Sequence, residues 1–150
     1  MTPIRTLLAA TAAVALTAGA ATAETHVVKM LNADPEDRSE RMVFEPAVLQ
    51  VAPGDTVRFV PEDPGHNAVS EAGPEGAVEF RGGINKEIEV TFEEEGTHLY
   101  ICQPHLALGM IGLVLVGDHE RNLDEIAEMD LRGRRSDERL DAYVEQARGM

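Results

Sequence analysis

Cysteine is all but missing here: Cys102 stands alone among 150 residues, so no disulfide can close within the chain. Cations are scarce as well. Lys and Arg number 13 against 27 Asp and Glu, a formal net charge of −14. That balance argues against nucleic acid or an anionic membrane surface as a partner. Its plainer meaning is a solvated acidic surface. Long apolar runs are absent beyond the amino terminus, and the one found there is short and broken by threonine, which does not suit a spanning helix. Internal repeats, low-complexity tracts and a glycine loop of the phosphate-cradling kind are absent too.

What the amino terminus does carry is a secretory leader. In "MTPIRTLLAATAAVALTAGAATA", Arg5 supplies the positive start, Leu7 to Leu16 the apolar centre, and Ala21-Thr22-Ala23 a small-residue cleavage site. The expected mature chain is residues 24–150, a single domain, soluble and exported, with a bacterial periplasm as its compartment. The leader holds one cation, Arg5, and no acid, so its removal takes the net charge from −14 to −15. Exported proteins use cysteines in pairs. A lone Cys102 is therefore expected to be buried, reactive or bound to metal, and inert burial as a small hydrophobe is the plain alternative.

From residue 26 to 117 the apolar residues alternate in short runs closed by turn residues. "HVVKMLN" comes first, followed by "MVFEPAVLQV", which ends at Pro53-Gly54-Asp55. "TVRFVP", "EIEVTF", "HLYIC" and "MIGLVLVG" follow. Such spacing predicts an all-β sandwich of two sheets, with Pro46 marking a bulge or an edge. After Gly117 the period changes. "NLDEIAEM" and "SDERLDAYVEQA" read as two short amphipathic helices over one side of the sandwich, with Ser136 as N-cap of the second and "RGRR" as a solvated linker between them.

The chemistry gathers in "YICQPHLALGM", which sets Cys102, His105 and Met110 within nine residues. A thiolate, two imidazoles and a weak thioether form a copper-selecting set. The run supplies three of the four, at a point where one strand ends and the next begins. Among the other histidines, His98 lies about 13 Å along the strand from Cys102, too far to share a metal. His26 and His119 sit at segment ends and read as surface residues. His66 lies in "PEDPGHNAVS", a loop constrained by Pro61, Pro64 and Gly65 that leads into a new strand, and Asn67 can tie that loop to the cysteine loop.

Taken in order, "MLN", "MVFEPA", "PGDTVRFVP", "GHN", "INKEIEVTF", "CQPH" with "GM", "VGD" and the helical tail resemble the small blue copper proteins of the cupredoxin family, the pseudoazurins among them. The resemblance implies a Greek-key cupredoxin sandwich and a type 1 copper ion held by His66, Cys102, His105 and Met110. It also implies a periplasmic, monomeric electron shuttle that serves copper nitrite reductase or a c-type cytochrome. Where the family carries an aromatic residue and a methionine, this chain has Leu106 and Leu108. Both are apolar, so a patch of Leu106, Ala107 and Leu108, with Met42 beside it, is expected around His105. The family's lysines are mostly absent, leaving Arg81 and Lys86. An enzyme with Cys102 as nucleophile and His105 as base would lack an orienting group and leave Met110 without a role. Copper delivery favours exposed ligands, and structural zinc sites do without a thioether.

Overall fold

The structure, a computed structural model, describes residues 22–150. The apolar centre of the leader thus lies outside the described residues. Eight strands build the body: β1 (Thr25–Ala33), β2 (Arg41–Glu45), β3 (Val48–Val51), β4 (Asp55–Pro61), β5 (Val69–Ala72), β6 (Ile88–Phe92), β7 (Gly96–Ile101) and β8 (Ile111–Val116). One sheet runs β2-β1-β4-β6 and the other β3-β8-β7-β5. Both are mixed, since β1 pairs with β4 and β3 with β8 in parallel while the remaining pairs are antiparallel. The expected sandwich is present.

The run read as one strand, "MVFEPAVLQV", is two. Pro46 has no N–H to give a ladder, and there the chain leaves β2 at the edge of the first sheet for β3 at the edge of the second. Between the sheets lies a core of Val28, Met30, Phe44, Val57, Phe59, Val90, Phe92, Tyr100 and Val114, reaching Cys102 and Met110 at one end. Alternation is clean on β6, whose Val90 and Phe92 are buried while Glu89 and Thr91 face solvent.

Strands β7 and β8 break the alternation, being buried at every position. The reason is the tail. Helices α1 (Leu123–Ala127) and α2 (Arg134–Arg148) cover the outer face of the second sheet, packing Leu123, Ile126, Leu140, Val144 and Ala147 on Leu99, Ile101, Ile111, Leu113 and Leu115. Strands with both faces covered read as continuous apolar runs, which is why "MIGLVLV" shows no period of two.

Three sequence expectations need correction here. Ser136 is not the N-cap: α2 begins at Arg134 after Gly133, and Ser136 is buried inside the first turn. Part of "RGRR" is accordingly helix, and Arg135 pairs with Glu40 at 2.6 Å. His119 is no surface residue either. It is 6% exposed and donates from Nε2 to the Ala147 carbonyl at 3.0 Å, pinning the end of α2. His26, half-buried, meets Asp55 at 2.9 Å. Asp55 also accepts from the Glu24 and Ala52 N–H groups, so those hydrogen bonds, Glu24 foremost and His26 next, hold its carboxyl below the usual range.

Candidate metal centre

The site forms where β7 runs out. Cys102 follows the last residue of β7, and the chain then turns through a short 3₁₀ segment, Gln103–Leu108, before β8 begins. Pro104 starts that turn comfortably, since its missing N–H would have no partner there. Gly109 ends it at φ 83°, in the left-handed region, and a Cβ there would lie 2.8 Å from Arg135 Cγ. The Cys102 N–H donates to the Met110 carbonyl at 2.9 Å, and the Met110 N–H to the His105 carbonyl at 3.2 Å. These bonds fold the run of nine so that its three chemical side chains belong to one small loop.

His66 arrives from the loop between β4 and β5. Nδ1 of His66 lies 3.1 Å from Nδ1 of His105 and 3.8 Å from Cys102 Sγ, while His105 Nδ1 is 3.5 Å from Sγ. One ligand atom from each of the three lies within 4.8 Å of the others. His66 and Cys102 are buried, whereas His105 is half-buried and brings the site towards solvent. Met110 is fully buried in the same core cluster as Cys102. His98, as expected, is elsewhere, packed on Phe92 and bonded to the Glu94 carbonyl.

The surroundings prepare these atoms as Lewis bases. Nε2 of His66 faces Asn32 Oδ1 at 3.0 Å, an acceptor, so Nε2 carries the proton and Nδ1 presents its lone pair to the cluster. Desolvation first, and the neighbouring His105 second, hold the His66 imidazole below its usual pKa and hence neutral. Burial pushes the Cys102 thiol up, against a smaller opposing pull from the N–H groups of Asn67 and His105. The His66 Nδ1 lone pair, the His105 Nδ1 atom and a buried sulfur make a donor set that fits a bound metal ion, because a metal deprotonates the thiol it binds.

Asn67 joins the two loops as its position suggested. Its Oδ1 accepts from the Gln103 N–H at 2.9 Å, and its Nδ2 donates to Gln103 Oε1 and to the Gly82 carbonyl. The Gly65 N–H donates to Asn85 Oδ1 at 2.6 Å, and the Asn85 N–H to the His66 carbonyl at 2.9 Å. Asn32, Asn85 and the residues of α2 that reach the loop were not picked out from the sequence. Nothing local marks them, since Asn32 lies 34 positions from His66.

Around His105 the surface is apolar in part. Leu108 is 52% exposed, Ala107 is exposed and Leu106 half-buried. Met42 is half-buried and packs against the first core. Ile84 adds a further exposed apolar side chain.

The chain is similar to known proteins along most of its described length. Residues 32–117 match the family described as copper binding proteins, plastocyanin/azurin family. A pseudoazurin of Paracoccus pantotrophus is 43% identical over 93% of this chain and 95% of its own. One of Methylorubrum extorquens is 38% identical over 93% of this chain and 94% of its own. The crystal structure of native pseudoazurin from Hyphomicrobium denitrificans superposes with a TM-score of 0.75 at 41% identity, covering 81% of this chain and 97% of that one.

Proposed function

Since the chain belongs to the plastocyanin/azurin family of copper-binding proteins, and within it to the pseudoazurin-like blue copper electron carriers, we propose that His66, Cys102, His105 and Met110 hold its copper ion and that electrons pass at His105. The observation that carries this reading is the convergence of Cys102 Sγ and the Nδ1 atoms of His66 and His105 within 4.8 Å. When bound, copper supplies a one-electron couple whose potential the ligands tune.

The chain's own residues supply the rest. Asn32 fixes the tautomer and tilt of His66. Asn67 and Asn85 lock the two ligand loops to each other and to the body, so the donors are held in one geometry. Burial of Cys102, His66 and Met110 keeps water off the sulfur and leaves no exposed ligand for a substrate. Half-buried His105 gives the short path to a partner, and Leu106, Ala107 and Leu108 form an apolar contact suited to brief docking.

Residues 1–23 are the export leader in this reading, and the carrier works in a periplasm as a monomer. Its partners are redox proteins met transiently, with copper nitrite reductase and c-type cytochromes the leading candidates. Among the described residues no helix is long and apolar enough to cross a membrane. An anaerobic titration tests the proposal. The copper-loaded protein should take up one electron per copper and release it reversibly, and electrons should reach a nitrite reductase or a cytochrome in the same cuvette. Uptake that is irreversible, or that turns over a substrate, contradicts a carrier.

A further inference from the structure

Helix α2 does more than cover the second sheet, for its first turns reach the ligand loop. Arg139 is 6% exposed and makes four hydrogen bonds from its two terminal nitrogens. Nη1 donates to the carbonyls of Gly109 at 2.6 Å and Met42 at 2.7 Å, and Nη2 to the Arg41 carbonyl and Glu40 Oε2, both at 2.8 Å. One turn earlier, Ser136 donates to the Leu106 carbonyl. Gly109 immediately precedes Met110, and Leu106 immediately follows His105. Met42 has a φ of 53°, a conformation that a residue other than glycine holds only when its surroundings fix it.

We propose that Arg139 is a positioning residue of the copper centre, tying the ligand loop at Gly109 to β2 at Met42 and thereby setting where Met110 stands against Cys102 and the two histidines. The proposal rests on the ligand set given above. A guanidinium suits this task because its planar fork can serve several fixed carbonyls at once, which a lysine ammonium on a flexible stem does less well. Glu40, held ionised first by Arg139 and then by Arg135, orients the fork from its outer side. Three backbone carbonyls thus meet one buried cation, and without it they would be left partly unsatisfied. Ser136 holds the other end of the 3₁₀ segment, so the loop is gripped on both sides of the apolar patch.

The test compares Arg139→Met and Arg139→Lys with Arg134→Ala, which loses only an exposed pair with Glu138. Two readouts are taken on the mature chain: amide exchange at Gly109 and Met110 in the metal-free protein, and reduction potential with visible spectrum after copper loading. In Arg139→Met the two loop amides should exchange about tenfold faster, the size of effect expected on losing hydrogen bonds to a charged group. The amides of β1 and β4 should not change. Its potential and spectrum should leave the wild-type values, Arg139→Lys should fall between, and Arg134→Ala should match wild type. Should Arg139→Met fail to fold, Ser136→Ala takes its place and should move the same readouts in the same loop. A blue wild type whose Arg139 and Ser136 variants keep its potential, spectrum and loop exchange overturns the tether alone. A wild type that stays colourless with copper overturns the ligand assignment and the tether together.

Discussion

Cys102 and Met110 face each other across one backbone hydrogen bond yet carry different burdens. The thiolate is the strong ligand of such a set and the thioether the weak, long one. Met110 therefore tunes rather than retains the metal. Met110→Gln should still bind copper, and voltammetry should find a lower reduction potential, because an amide oxygen is a harder donor that favours the oxidised ion. An unchanged potential would make Met110 a core residue only. Cys102→Ser is expected to stay folded, since the serine Oγ can still accept from the Asn67 N–H, while copper retention against a chelator should fall sharply. Retention equal to wild type would remove the sulfur from the ligand set.

Tyr100 of β7 lies over Gly112 of β8, its direct partner across the strands. A Cβ on Gly112 would clash with the Tyr100 hydroxyl oxygen. Gly112→Ala should thus cost about 1–3 kcal/mol by overpacking, read as a lower midpoint in urea, and a neutral result would mean that the ring can move aside. The elements also differ in how much of them the sequence revealed. Most strands and the tail helices were legible because their periods are local, β8 because a short apolar run closes at Gly117, and Cys102, His105 and Met110 because they share one short run. His66 was legible through its loop and its neighbour Asn67. The sheet switch at Pro46 was half-legible: proline forbids an ordinary ladder without saying where the chain goes next. Asn32, Ser136 and Arg139 were not legible, since their roles exist only once the tail has folded back on the ligand loop. Arg139 reads as one more cation on an amphipathic helix, and its partners Gly109 and Met42 lie 30 and 97 positions away. His119 misled for the same reason, being buried by a helix whose Ala147 carbonyl lies 28 positions later.

Across the whole molecule, burial sets a pH dependence that the metal should modify. Desolvation holds both His66 and His98 below the ordinary imidazole pKa. The unfolded chain, with histidines near about 6.5, then binds protons that the folded chain refuses. Stability from these two groups is complete above that value and is lost as pH falls below it towards the folded pKa values. The metal-free protein should accordingly melt at progressively lower temperature between pH 7 and pH 5. Copper loading should steepen the dependence, because the bound metal keeps off His66 and Cys102 the protons that the unfolded chain takes up, while the part due to His98 remains. A flat melting profile for the metal-free protein would contradict the burial of these neutral rings. Charge makes a second molecular prediction. With a net charge of −14, or −15 without the leader, a basic cytochrome should be drawn in and an acidic partner repelled. Screening limits such steering to about 8 Å at 0.15 M salt, so the rate with a cationic cytochrome should fall as salt rises. A rate indifferent to salt would leave the apolar contact alone in charge of docking. The measurement that reaches the central claim most directly is the visible spectrum of the metal-free protein titrated with copper(II). One equivalent should produce an intense blue thiolate-to-copper band that bleaches on reduction, returns on reoxidation and is absent from Cys102→Ser. A pale complex, or the same colour in the serine variant, would contradict it.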